Sequence, residues 1–195
     1  PGTTCLITGV RPAISGVVSN WQSFPGDLGI DNIFRIVKEN NGTTAHIGDT
    51  GVAQFFSTHI DYIGPPLGEY EDPSDWDDAV LNTAVEIIKN YKPTLMIVHF
   101  SLVDEVGHKY GGISSEYRAA IEETDQRVGV LLNALKDAGI YNDTLIVLFS
   151  DHGHIDRGGH GGSEKIARHI LLAFHGPRIK KGVTIDNTCL LYTSD

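Results

Sequence analysis

The sequence predicts an α/β fold, a mainly parallel sheet with helices on both faces. Three observations predict it. Short apolar runs rich in Val, Ile, Thr, Ala and Phe recur along the chain, and amphipathic stretches of helical period separate several of them. The separations reach a dozen residues or more, the length that a right-handed crossover between parallel strands requires. The composition agrees, since 41% hydrophobic residues and 22 glycines in 195 residues make about half the chain apolar. A chain of this length buries roughly 70% of its unfolded surface in one core.

In chain order, Asn32 to Asn40 reads as a short helix, and Thr43 to Gly48 is the first strand run. Gly64 to Pro73, with three prolines and the acidic Glu69, Glu71 and Asp72, reads as a surface loop, either a solvated connection or a lid. Asp75 to Tyr91 puts Trp76, Val80, Ala84, Ile87 and Ile88 on one helical face, with Ser74 as cap candidate and Asp75, Asp77 and Asp78 in the first turn. Thr94 to Ser101 is the second strand run. Glu116 to Ala138 is a long helix, with Tyr117, Ile121, Val128, Leu131, Leu132 and Leu135 recurring at helical period and Gly139 as its stop. Thr144 to Ser150 and Arg168 to Phe174 complete the strands.

The longest apolar runs, Leu145 to Phe149 and Ile170 to Phe174, fall far short of the roughly 18 residues of a membrane-spanning helix. With 15 basic against 25 acidic residues the formal charge is −10, which repels phosphate backbones and argues against nucleic-acid scaffold binding. Cys5 and Cys189 are too few for a disulfide scaffold. The chain opens on Pro1-Gly2 with no Met, in mid-pattern, which sets the expectation of a fragment shortened at both ends.

Nine histidines is a high count for this length. His108, His152, His154 and His160 fall in segments that follow strand runs, where open α/β sheets bind ligands. Leu102-Val103-Asp104-Glu105-Val106-Gly107-His108 follows one strand. Ser150-Asp151-His152-Gly153-His154 follows another, and Gly158-Gly159-His160-Gly161-Gly162 comes next. Carboxylate oxygen and neutral imidazole nitrogen suit Zn²⁺, and Asp104, His108 and His160 make one three-ligand set with an open position. Asp151 and His152 serve one ion only where the chain has turned, which Gly153 permits. Taken singly, Asp104 and His108 also suit a helix-surface pair, and Asp151-His152 a loop turn with a cap. Together with the glycine-flanked His160 they point to metal. His46, His59, His99, His169 and His175 read as core or surface residues, His99 being inside a strand run.

These residues resemble a known pattern. Asp104-x-x-x-His108 followed by Ser150-Asp151-His152-Gly153 is similar to the metal-binding core of the alkaline phosphatase superfamily, in particular its type I phosphodiesterase / nucleotide pyrophosphatase branch. Carried over by position, the resemblance implies Asp104, His108 and His160 on one zinc ion, and Asp151 and His152 on a second. Thr8-Gly9-Val10-Arg11-Pro12 and Gly16-Val17-Val18-Ser19-Asn20 keep the family's order near its start, and Asn20 matches the asparagine that steadies a phosphate oxygen. Ser15 departs from the His found there in many relatives. On this alignment the nucleophilic Thr or Ser lies about two residues upstream of Pro1, with the family's first acidic ligand further upstream; the register of Thr3 and Thr4 does not match the nucleophile. Residues 1–188 are then part of an alkaline-phosphatase-like catalytic domain. Cys189 to Asp195 looks like the translated end of a sequencing adapter of the kind that contaminates metagenomic reads, so 189–195 is expected to be a non-native tail.

The resemblance implies a parent enzyme that uses two divalent metal ions, most simply Zn²⁺, to cleave a small-molecule phosphate ester, with phosphodiester or nucleotide pyrophosphate bonds the expected class. The 195 residues themselves are expected to be inactive without the nucleophile. Two rivals stay open: a phosphomonoesterase or sulfatase of the same superfamily, and a metal-binding fragment without catalysis. Mononuclear sulfatases of the superfamily use an acid-rich, His-poor site, against which the histidines here argue. Relatives of this kind are often exported, which inclines the expectation toward an extracytoplasmic protein.

Overall fold

A computed structural model describes residues 2–19, 26–66, 68, 70, 72–160 and 164–184. Asn20 and the tail 189–195 lie outside the described residues. The elements in chain order are α1 (Gly2–Thr8), α2 (Pro12–Ser15), α3 (Ile33–Glu39), β1 (Thr44–Ile47), α4 (Thr50–Gln54), β2 (Tyr62–Gly64), α5 (Pro73–Asn90), β3 (Leu95–Val98), α6 (Leu102–Tyr110), α7 (Ser115–Asp137), β4 (Ile146–Phe149), α8 (Lys165–Arg168) and β5 (Leu172–His175). Among the described residues, no helix is long and apolar enough to cross a membrane.

β1 is the middle of a three-stranded parallel sheet in the order β2-β1-β3. All four of its residues are buried, as a strand covered on both faces must be. Alternation divides the side chains cleanly. Ala45 and Ile47, with Met96 and Val98 of β3, pack on Val80, Ala84 and Ile87 of α5. The opposite face meets α1 and α3, where Leu95 and Ile97 join a cluster of Ile7, Phe34 and Phe56, and the His46 ring stands edge-on to Phe34. The predicted α/β architecture, a parallel sheet with helices against it, is therefore the one observed. Full burial of a side chain such as Val80 or Ile88 contributes about 1.5–3 kcal/mol.

The helix ends follow from local chemistry. Asn32 caps α3 by accepting from Arg35 N–H at 2.9 Å, and Ser114 caps α7 by accepting from Tyr117 N–H at 3.0 Å. Asp72, not Ser74, caps α5, accepting from both Ser74 and Asp75 N–H ahead of Pro73 in the first turn. Ser74 is occupied elsewhere: it joins Asp78 and Glu123 around the buried guanidinium of Arg127, which ties α5 to α7.

Two features of the strand pairing differ from the sequence expectation. β2 is an additional strand, only three residues long, that pairs with the far edge of β1. β4 and β5 pair antiparallel, Ile146 opposite His175 through Phe149 opposite Leu172. A long connection is necessary for a parallel pair but does not impose one. Among the described residues between 150 and 171 the only helix is the single-turn α8 where a crossover helix would lie, and the segment folds back along β4 through Ser150 N–H to Leu171 O and Gly153 N–H to Ala167 O.

Candidate metal centre

β3 and β4 both deliver chemistry at their carboxyl ends. Three residues after β3 ends, the chain enters α6, which puts Asp104 in its first turn and His108 one turn on, with 3.6 Å between His108 Nε2 and Asp104 Oδ2. The segment after β4 then crosses α6. It brings Nε2 of His154, His160 and His152 to 2.7, 3.5 and 3.7 Å from Asp104 Oδ1. One carboxylate thus faces four imidazoles, in two triads whose ligand atoms lie within 4.8 Å of one another: Asp104, His152 and His160; and Asp104, His108 and His154. The rings of His152 and His160 stack at 3.6 Å.

Glycine makes the crossing possible. A Cβ on Gly107 would sit 2.6–2.7 Å from three ring atoms of His154, so only a bare α-carbon lets α6 lie against that imidazole. Gly158 adopts φ +90°, and a Cβ there would meet the His108 carbonyl at 2.8 Å. Gly153 works differently from the sequence expectation. Its φ lies outside the left-handed region, and it is needed because the chain runs against the Ile166 carbonyl.

Hydrogen bonding separates the roles of the imidazoles. His152 Nδ1 faces the Gly153 carbonyl at 3.3 Å, which fixes the proton on Nδ1 and leaves the Nε2 lone pair toward Asp104 and toward Asp151, 3.6 Å away. His154 is 5% exposed, and its Nδ1 is buried without a partner among the described residues. A proton on that Nδ1 would be an orphaned buried donor, the costlier arrangement, so His154 carries its proton on Nε2 and donates to Asp104. Desolvation pushes the Asp104 carboxyl up, but the His154 hydrogen bond and the surrounding imidazoles outweigh it, and the net direction is down. Desolvation first, and then neighbouring His152, pulls His160 below the ordinary histidine range, which keeps it in the neutral form a metal ligand needs. A carboxylate among imidazole nitrogens is a donor set that could hold a divalent metal ion.

Of the sequence candidates, Asp104, His108, His152 and His160 come together, and Asp151 reaches them through His152. His160 stands with His152 as well as beside His108, whose ring is 4.8 Å away. Asn20 is not among the described residues. His154 is a contributor the motif reading passed over, although its i, i+2 spacing from His152 in extended chain puts both on one side. Beside the α6 N-terminus, Tyr70, Asp72, Pro73, Trp76, Ser101 and Glu105 line a cavity of about 410 Å³, where the Tyr70 and Trp76 rings meet edge to face at 5.0 Å.

The chain is 32% identical over 168 residues to GPI ethanolamine phosphate transferase 3 of Eremothecium gossypii and 30% identical over 173 residues to the catalytic subunit of the human protein of that name, matches that cover 80% and 88% of this chain but 16% and 15% of those proteins. It therefore spans about a sixth of the length of these curated relatives. Among solved structures, BT1596, a 2-O GAG sulfatase, superposes with a TM-score of 0.73 at 17% identity, over 93% of this chain and 54% of the other. An inactive murine ectonucleotide pyrophosphatase / phosphodiesterase 5 in complex with AMP gives 0.60 at 20% identity, over 76% and 43%. The fold is accordingly alkaline-phosphatase-like. Residues 1–161 match the type I phosphodiesterase / nucleotide pyrophosphatase family, and the chain belongs to it.

Proposed function

We propose that this chain carries the metal-binding part of an enzyme that cleaves phosphodiester or nucleotide pyrophosphate bonds with two divalent metal ions, most simply Zn²⁺. The observation that carries this reading is the convergence of four imidazoles on the Asp104 carboxylate in two triads. Asp104, His152 and His160 would hold one ion, with Asp151 beside His152, in place of the Asp104, His108 and His160 set that the resemblance implies. His108 and Asp104 would contribute to the other, with His154 holding the Asp104 carboxylate in place. Bound there, the ions supply Lewis acidity that polarises a phosphate oxygen and lowers the pKa of an attacking hydroxyl or water.

The residues of the chain do the rest. Asp104 and Asp151 offset part of the ionic charge, and burial favours the neutral form of His160. Asn20 steadies a non-bridging phosphate oxygen. The attacking Thr or Ser is supplied by the segment that the family resemblance places ahead of Pro1. The aromatic cavity one helical turn from Asp104 takes the organic substituent of the ester. The His-rich donor set favours phosphate over sulfate esters. The relatives named as ethanolamine phosphate transferases favour an alcohol, rather than water alone, as a second acceptor for the same chemistry.

The test is zinc stoichiometry by elemental analysis on this chain and on its Asp104→Ala variant, with turnover of a chromogenic phosphodiester and monoester by a version extended upstream through the nucleophile. Two zinc ions in the wild type, loss of both in Asp104→Ala, and diester-preferring turnover in the extended form are expected. A folded wild-type chain without zinc overturns the reading.

A further inference from the structure

The helix that presents Asp104 begins without a cap of its own. Ser101 occupies the N-cap position at φ −110°, ψ −17°, and its hydroxyl caps no amide. The backbone N–H groups of Ser101 and Leu102 donate instead to Asp77 of α5, at 2.7 Å to Oδ1 and 3.1 Å to Oδ2. Each carboxylate oxygen takes one amide, and Asp77 is fully buried. Burial raises the Asp77 carboxyl above its ordinary range against the opposing pull of these two amides, Arg127 and His99. A buried carboxylate is costly to keep, and in this position it meets the positive end of the α6 dipole and two otherwise orphaned donors.

We propose that Asp77 is a positioning residue that caps α6 from a neighbouring helix and so sets where Asp104 and His108 enter the cluster. Leu102 is two residues from Asp104, so the capped turn and the functional carboxylate are one rigid piece. α5 is itself fixed to α7 by Arg127, whose contacts on Ser74 and Asp78 bracket Asp77 in sequence. The chain of support runs from α7 through α5 to the first turn of α6. Metal ligands tolerate displacements of only about 0.2 Å, and removing a group that orients them typically costs 10–100-fold in affinity. The metal consequence rests on the function proposed above; the capping does not.

The experiment compares Asp77→Asn, which removes the charge and one acceptor at constant shape, with Val80→Ala, a cavity in the same helix on its sheet-facing side. Two quantities are read on the 195-residue chain: amide hydrogen exchange over residues 101–110 against residues 44–47, and zinc affinity by chelator competition. Asp77→Asn is expected to lose protection at 101–110 at least tenfold more than at 44–47, and to bind zinc at least tenfold more weakly. Val80→Ala is expected to lower protection by a common factor in both segments with zinc affinity within about twofold of wild type. Uniform loss of protection in Asp77→Asn, or wild-type zinc affinity with α6 loosened, overturns the proposal. Were the wild-type chain to take up no zinc, the metal reading would fall on its own, and the exchange comparison would still decide whether Asp77 holds α6.

Discussion

Replacing Gly107 by alanine should break the candidate metal centre from behind. The new Cβ falls 2.6 Å from His154 Cδ2 and 2.7 Å from its Cγ and Nε2, whereas unstrained carbon contacts lie near 3.5–4.0 Å. The ring must retreat by about 1 Å, and Tyr117 and His108 already stand edge-on to it. A shift of that size carries Nε2 from 2.7 Å to about 3.5 Å or more from Asp104, outside hydrogen-bonding range. Alanine gains about 1 kcal/mol over glycine in a helix interior. Against this stand about 1.5–3 kcal/mol for a hydrogen bond to a charged group and about 1–3 kcal/mol of overpacking. The net is a loss of about 1.5–5 kcal/mol. Gly129 supplies the control, because it lies inside α7 and a Cβ there meets nothing within 4 Å, so Gly129→Ala should gain about 1 kcal/mol. Urea unfolding of both variants beside zinc titration measures the contrast. Equal stability of the two, with zinc binding intact in Gly107→Ala, would refute the argument that the absent side chain makes room for the imidazole.

Three further outcomes follow from named groups. Burial, followed by the neighbouring His99, lowers His46 from 6.5 to about 4, so the unfolded chain takes up its proton first; stability is complete above about pH 6.5 and falls by about 3 kcal/mol as the pH drops through 4, about 2 kcal/mol of it by pH 5. His46→Leu should flatten that part of the pH profile of the urea midpoint. Arg127→Met keeps the apolar stem but loses the hydrogen bonds to Asp78, Ser74 and Glu123, and should cost about 1–2 kcal/mol by thermal unfolding, less than a fully buried pair because both carboxylates are largely open to water. Zinc at a hundredfold excess over its Kd should stabilise the wild type by about 2.7 kcal/mol, a shift that a chelator reverses and that Asp104→Ala lacks.

Much of the fold was legible because the strands and long helices have unambiguous periods. β1, β3 and β4 lie within the expected apolar runs and β5 overlaps the fourth, and α5 buries Val80, Ala84, Ile87 and Ile88 as its spacing predicts. α7 is less faithful to its pattern: Ala120, Arg127 and Ala134 are its buried residues, while Ile121 is 46% exposed. Small residues and a guanidinium carry no hydrophobic signal, so periodicity cannot find the face that packs on α5. β2 is too short to alternate, and α6 is a nine-residue helix whose apolar stripe is thin beside its acids and histidines, so it reads as the loop leaving β3. The motif around Asp104, His108, His152 and His160 was legible from residue type and strand-end placement. His154 and Asp77 were not, because what each does depends on a partner about fifty and twenty-five residues away in sequence.

That separation matters beyond recognition. Asp104 and His154 are 50 positions apart, and closing such a loop costs about 3.5 kcal/mol of chain entropy before any contact forms. Among the described residues, neither α6 nor the segment after β4 holds a metal triad by itself. α7 lies between them in sequence, so the cluster rests wholly on long-range contacts, whose loop-closure entropy must be met before they form. Zinc uptake by this chain would then act as a clock on its own maturation, staying silent through collapse and early helix formation and sounding only when the tertiary structure is complete.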